Sequence, residues 1–240
     1  MGNRARQDGS KQTSSADMNL HSKGWADHGS KGRLRRWLEP PVPFVRNPRE
    51  IIHMPLGARN LYIGGAGVNP DGYINLDLFA VEGVDVAADV ESLPFPDGTF
   101  DVVECDAVLE HVRNAEVAIR EIERVTRPGG MVHLVTPFCH PFHAYPNDYR
   151  RFTLQGLKAL ANGMEPVAEG WRTGPTATML LFALEWVKLW FRSPYWRMGA
   201  HGILGWVLFP LRYIDLLMLR SPEAGRLGNH CYVWLKKRKL

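Results

Sequence analysis

The sequence predicts an α/β protein built on a mostly parallel sheet, and three observations carry that expectation. Between residues 61 and 136, short apolar runs alternate with polar loops and one amphipathic helical segment, the succession a crossover-connected sheet produces. The first run breaks into three glycines within four residues, Gly64, Gly65 and Gly67. The second run closes on a single acid, Asp77. Glycines let backbone N–H groups approach a ligand and permit positive φ. In nucleotide-binding sheets a carboxylate at a strand tip can accept both hydroxyls of a ribose.

The elements follow in order. Residues 1–32 have no apolar periodicity and are expected to be disordered. Pro40-Pro41-Val42-Pro43 then enforces an extended approach, so residues 1–45 read as a basic tail and proline-rich tether. Strands are expected at 61–63, 73–76, 84–88, 102–105, 131–136, 166–171 and 231–235, with a helix at 115–125 ended by the turn Arg127-Pro128-Gly129-Gly130. A parallel pair usually needs a crossover of about a dozen residues or more. The interval between Ile63 and Tyr73 is shorter and contains Pro70 and Gly72, so its helix is expected to be reduced to a turn. Thr153 is placed to cap a short helix carrying Leu154, Leu157 and Leu160 on one face.

Composition bounds the rest. A chain of 240 residues, 45% hydrophobic, can bury one sizeable core. Cys105, Cys139 and Cys231 lie far apart, which excludes a disulfide framework and a Cys-type zinc cluster. The N-terminus has no apolar core of the signal-peptide kind, and the expected address is cytoplasmic. Charge is segregated: the middle of the chain, residues 61–170, is acidic, whereas both flanks are basic. Residues 176–228 form an apolar insertion rich in Trp and Arg. Its charged residues leave no clean apolar run of about 20 residues, as a spanning helix needs. Mixed Trp, Arg and Leu suit a pair of helices lying on an anionic membrane, making the protein peripherally associated; a core-packing pair or a homodimer interface is the alternative.

Several motifs now fall in series. Asp89-Val90-Glu91-Ser92-Leu93-Pro94-Phe95 precedes Phe100-Asp101-Val102-Val103, then Leu109-Glu110-His111, then Arg127-Pro128-Gly129-Gly130. Over roughly residues 60–163 the chain resembles the class I S-adenosylmethionine-dependent methyltransferases. The resemblance implies a Rossmann-like sheet with flanking helices and an antiparallel last strand, formed by residues 46–175 and 229–240. It implies S-adenosyl-L-methionine as cofactor, held by the glycine loop, Asp77 at the ribose, and Asp89 with the Val90 N–H at the adenine. Cys105 and Asp106 would border its methionine portion.

After the fifth strand comes a loop dense in proline and aromatic residues, at the end of the sheet where ligands bind. It offers His143 or Tyr145 as a general base or acceptor-binding group, and His111 of the Leu-Glu-His step is the second catalytic candidate. Asp148 can pair with Arg150 or Arg151 to brace it. The spacing of His140 and His143 matches no closed zinc pattern, so no metal is expected. No Asn-Pro-Pro-Tyr signature of amide or base methylation occurs, which favours a hydroxyl or carbon acceptor. The expected function is methyl transfer to a small or lipid-linked amphipathic acceptor at a membrane surface. The alternative is a non-catalytic protein of the same fold that grips RNA or a protein partner through its basic flanks, nucleic acid being disfavoured.

Overall fold

A computed structural model describes residues 43–50, 57–65 and 70–239. The expected disordered tail, nearly all of the tether, and Gly67 lie outside them. All seven expected strands form: β1 (Asn60–Ile63), β2 (Ile74–Asp77), β3 (Val86–Ala87), β4 (Phe100–Asp106), β5 (Thr126–Pro137), β6 (Met164–Thr173) and β7 (His230–Lys237). They make one sheet in the order β3-β2-β1-β4-β5-β7-β6. β1 to β5 run parallel, and β7 is antiparallel to both β5 and β6.

Burial explains which residues take these places. Leu61 and Ile63 of β1, Val103 and Cys105 of β4, and Val132 and Leu134 of β5 pack into one core. Against them lies α1 (Ala115–Val125), with Ala115, Ala118, Ile119, Ile122 and Val125 along a single stripe. Each large apolar side chain so buried is worth about 1.5–3 kcal/mol. The opposite face of the sheet holds Val102, Val135, Tyr232 and Trp234. His133 stacks on Trp234 there at 4.2 Å between ring centres.

Two local features bear on the sequence expectations, the first as expected and the second differing in detail. β1 pairs in parallel with β2 across the short segment 64–73, whose described part is a turn: the Tyr73 N–H donates to the Pro70 carbonyl at 3.2 Å. No helix occurs among the described residues of that crossover. Arg127-Pro128-Gly129-Gly130 does end α1, but as the start of β5 rather than as a separate turn. Thr126 pairs with Phe100 and Met131 with Val102, so these four residues bulge opposite Asp101. Gly129 has φ +75°, and a Cβ on Gly130 would lie 2.9 Å from the Asp101 carbonyl, which explains the glycines.

α2 (Leu154–Leu160) is capped as expected, with the Thr153 hydroxyl accepting from the Gly156 N–H. Between β6 and β7 stand α3 (Pro175–Leu189), α4 (Pro194–Leu208) and α5 (Asp215–Met218), with short 3-10 turns around the last. One buried acid joins its elements to each other. Asp215 is fully buried and accepts from the Thr176 and Ala177 N–H groups at 2.8 and 2.9 Å, capping α3 from α5.

Strand order reverses between β1 and β4, which opens a crevice at the carboxyl ends of the strands.

Candidate active site

That crevice holds a cavity of about 280 Å³. Its wall is assembled from the ends of β1, β2 and β4 and the turns that follow them, with Ile63, Gly64, Leu76, Asp77, Asp89, Val90 and Asp106 on its inner side. Tyr145 and Pro146 of the loop after β5 line it as well. Phe79 stands beside them, its ring edge-on to Tyr145 at 5.9 Å. Burial, with the Asp77 carboxylate nearby, pushes the Tyr145 phenol up to about 12.

The glycines now separate. Gly64 sits at φ +90° on the cavity wall, and a Cβ there would meet Val108 Cγ2 at 2.3 Å. Gly65 is buried away from the cavity, where a Cβ would overlap the Asn75 amide at 1.7 Å. Gly64 is therefore the close-approach glycine and Gly65 a packing one. Asp77 is buried at the tip of β2 and accepts from the Phe79 N–H at 3.1 Å. Asp89 is exposed at the rim and accepts from the Glu91 N–H, while Val90 is buried beside it.

Cys105 does not border the cavity: its side chain points into the core with no exposure, because alternate residues of β4 face opposite ways. Its neighbours Asp106 and Ala107 take that place. Asp106 receives both an Arg172 bond at 2.6 Å and the Tyr62 hydroxyl at 3.1 Å. Burial would raise its carboxyl, but the Arg172 guanidinium holds it below the usual range. Arg172 in turn reaches Glu50 at 2.5 Å. Ala107 has φ +54°, a left-handed conformation that costs a non-glycine residue about 1–2 kcal/mol.

His111 lines the cavity, whereas His143 stands behind it, ring centre 5.0 Å from that of His111. The loop carrying His143 is braced by Asp148, which accepts from the His143 N–H at 2.8 Å and from Arg151, the pairing being with Arg151 and not Arg150. Those Arg151 bonds hold the Asp148 carboxyl down at about 2. Burial, then the neighbouring His140 and His111 rings, lowers His143 to about 4, so it is neutral at pH 7. Beneath both rings lies Glu110, wholly buried, with neither carboxylate oxygen hydrogen-bonded. Burial pushes its carboxyl up to about 8.

Asp106 was expected here together with Cys105, whereas Phe79, Ala107 and Glu110 were not expected at the site with these roles. Phe79 carries no motif, and Glu110 reads in the sequence as a structural loop residue.

Residues 73–134 match the sequence model of a family described as a methyltransferase domain. Demethylmenaquinone methyltransferase of Mycobacterium tuberculosis is 36% identical over 127 residues, covering 50% of this chain and 53% of that protein. The enzyme of the same name from Streptomyces avermitilis is 32% identical over 118 residues, covering 45% and 51%. The chain thus spans about half the length of the curated relatives it matches. Among solved structures, the [4+2]-cyclase SpnF superposes with a TM-score of 0.50 at 19% identity, over 77% of each chain. A chain from the complex of the Haloferax volcanii Trm112 methyltransferase activator with a methyltransferase superposes with 0.51 at 13% identity, over 93% of this chain and 98% of that one. These structural likenesses speak to the fold.

Proposed function

We propose that the chain, whose residues 73–134 match a methyltransferase domain, is a class I S-adenosylmethionine-dependent methyltransferase that transfers a methyl group to a small apolar or lipid-linked acceptor. The observation that carries this reading is the cavity with Asp77 and Asp89 at one side and His111 at another. Two carboxylates on a largely apolar lining that also carries Asp106 and His111, with backbone exposed at Gly64, suit a nucleoside. Ile63, Leu76 and Val90 offer apolar faces to a base, Asp77 an acceptor for ribose hydroxyls, and Asp89 an acceptor for an exocyclic amine.

When bound, S-adenosylmethionine supplies an electrophilic methyl on a sulfonium. The chain's own work is then alignment and exclusion of water, which can lower a barrier by several kcal/mol through positioning alone, about 7–11 in the best cases. Tyr145 and Phe79 line the cavity and meet edge-on, an apolar pair that could exclude water around a bound ligand. His111 on the wall can orient an acceptor or take a proton from a hydroxyl, and His143, neutral at pH 7, supports it from behind.

The acceptor class rests on two further observations. Demethylmenaquinone, named in the relatives, is a lipid-like quinone. The outer faces of α3 and α4 expose Trp186, Leu189, Trp190, Trp196, Ile203 and Val207, and Arg192, Arg197 and Arg212 lie in the same insertion. Such a surface suits an anionic membrane from which an amphipathic acceptor could be drawn. Among the described residues no helix is long and apolar enough to cross a membrane.

Calorimetric titration with S-adenosylhomocysteine tests the cofactor half, with saturable binding at one site expected. Transfer of a labelled methyl group to quinol and lipid acceptors in vesicles tests the other half. No heat at high micromolar concentration would leave a non-catalytic binder of the same fold.

A further inference from the structure

Three lone-pair-bearing atoms converge behind the cavity wall. The Nε2 of His111 lies 3.6 Å from Glu110 Oε1, and the Nε2 of His143 lies 3.8 Å from that same oxygen. One ligand atom from each of the three residues falls within 4.8 Å of the others. Both separations exceed hydrogen-bond length. Glu110 nevertheless has no exposure and no hydrogen bond to either oxygen, an uncommon condition for a buried carboxyl.

The outer nitrogens explain which way the rings face. His111 Nδ1 lies 2.5 Å from the Asn147 carbonyl oxygen, so that nitrogen carries the proton and donates it. His143 Nδ1 lies 3.3 Å from the Pro141 carbonyl and 3.6 Å from Asp148, with Arg151 also near at 3.5 Å. The oxygen neighbours assign its proton to Nδ1 as well. Each Nε2 then turns an unprotonated lone pair towards the Glu110 carboxyl.

We propose that Glu110, His111 and His143 form a binding site for one divalent transition-metal ion of the zinc class. Two imidazole nitrogens and one carboxylate are the ligand set of open catalytic zinc sites, in which a fourth position is left to water or substrate. Zinc–nitrogen and zinc–oxygen bonds of about 2.0–2.2 Å put tetrahedral ligands roughly 3.3–3.6 Å apart, close to the two carboxyl–imidazole separations of 3.6 and 3.8 Å here. Backbone carbonyls that fix the second nitrogen of each histidine are the usual outer support of a metal-bound imidazole. The site revises the expectation of no metal. That expectation weighed only the local spacing of His140 and His143, whereas the ligands come from two loops more than thirty residues apart in sequence.

His111 belongs to both the site and the cavity wall, so the ion's open position would face the acceptor end. There it would polarise an acceptor oxygen, and the two imidazoles would act through the ion rather than by taking a proton. That role rests on the methyltransferase reading; the binding of metal does not.

The test uses the full chain, stripped with a chelator and titrated with Co²⁺ while visible absorption is recorded, then with Zn²⁺ by calorimetry. One equivalent is expected to bind, with the intense d–d bands of a four- or five-coordinate ion. Glu110→Gln, His111→Gln and His143→Gln should each weaken binding at least about tenfold. His201→Gln, on α4, should leave it unchanged. Circular dichroism checks folding of each variant. If the buried Glu110 variant fails to fold, the two histidine variants decide. Absence of saturable binding at millimolar metal, or equal affinity in wild type and the histidine variants, overturns the site. Retained S-adenosylhomocysteine binding in that case would leave the methyltransferase reading standing.

Discussion

Asp106 faces two ways: its carboxylate is at the cavity wall, and it also ends a buried chain of charges through Arg172 to Glu50. Removing Arg172 would strand two poorly solvated carboxylates, so Arg172→Leu should destabilise the protein by about 3–5 kcal/mol in urea titrations at pH 7. The same pairing predicts acid sensitivity. Asp106 is held below its unfolded value of about 3.9, so the stability it contributes is present above that value and lost as pH falls through the folded one. Urea midpoints measured from pH 6 down to pH 3 should fall for the wild type, and Asp106→Asn should flatten part of that fall. At the cofactor end, Asp77→Ala should remove a charged hydrogen-bond acceptor worth about 1.5–3 kcal/mol. That is roughly tenfold to a hundredfold in S-adenosylhomocysteine affinity, read by calorimetry. Equal affinity in a folded variant would dismiss Asp77 as the ribose ligand. Gly64→Ala would place a Cβ 2.3 Å from Val108 at φ +90°. It should lower stability by at least about 1 kcal/mol and weaken the same binding.

Within the α3–α5 insertion one cap joins α5 to α3. On α3, Pro175, Ala177, Thr178, Leu180 and Leu184 are buried, but on α4 only Gly205 is. The Asp215 carboxylate thus holds the insertion's own elements together, while the Thr178 hydroxyl reaches the Cys139 carbonyl outside it at 3.5 Å. Asp215→Ala leaves two buried N–H groups without their charged acceptor, which should cost about 1.5–3 kcal/mol. Limited proteolysis would read the effect locally, with cleavage in the insertion rising well before cleavage in the sheet. Uniform loss of protection would mean that the insertion and the sheet unfold as one unit.

At the scale of the molecule, the exposed Trp and Leu residues of α3 and α4 and the basic C-terminal third belong to one argument. Apolar area alone would favour self-association, and basic charge alone would favour any polyanion. Their combination predicts flotation with anionic vesicles, weak flotation with neutral ones, and loss of both in the Trp190→Ser, Trp206→Ser double variant. Protein that stays in the bottom fraction with anionic vesicles at low salt would leave these faces to a partner chain.

The sequence by itself determined the order of strands along the chain, the α1 stripe, the Thr153 cap and the reduced first crossover. Each of these follows from local rules: alternation, a 3.6-residue period, a hydroxyl at a helix start, and too few residues for a helix. It also pointed to the glycine cluster, Asp77 and Asp89, because strand ends in a parallel sheet meet at one edge, but left open which glycine stood on the cavity wall. Only the tertiary structure decided the rest. That Cys105 turned into the core while Asp106 alone of the expected pair lined the cavity depended on the phase of β4, since a shift of one residue swaps the faces. Which arginine braced Asp148, and that Asp215 capped α3, depended on chain segments brought together by packing. The meeting of Glu110 and His111 with His143 was decided in the same way. Sequence spacing reports neighbours along a helix or strand, and these side chains approach one another across loops, where no period relates them.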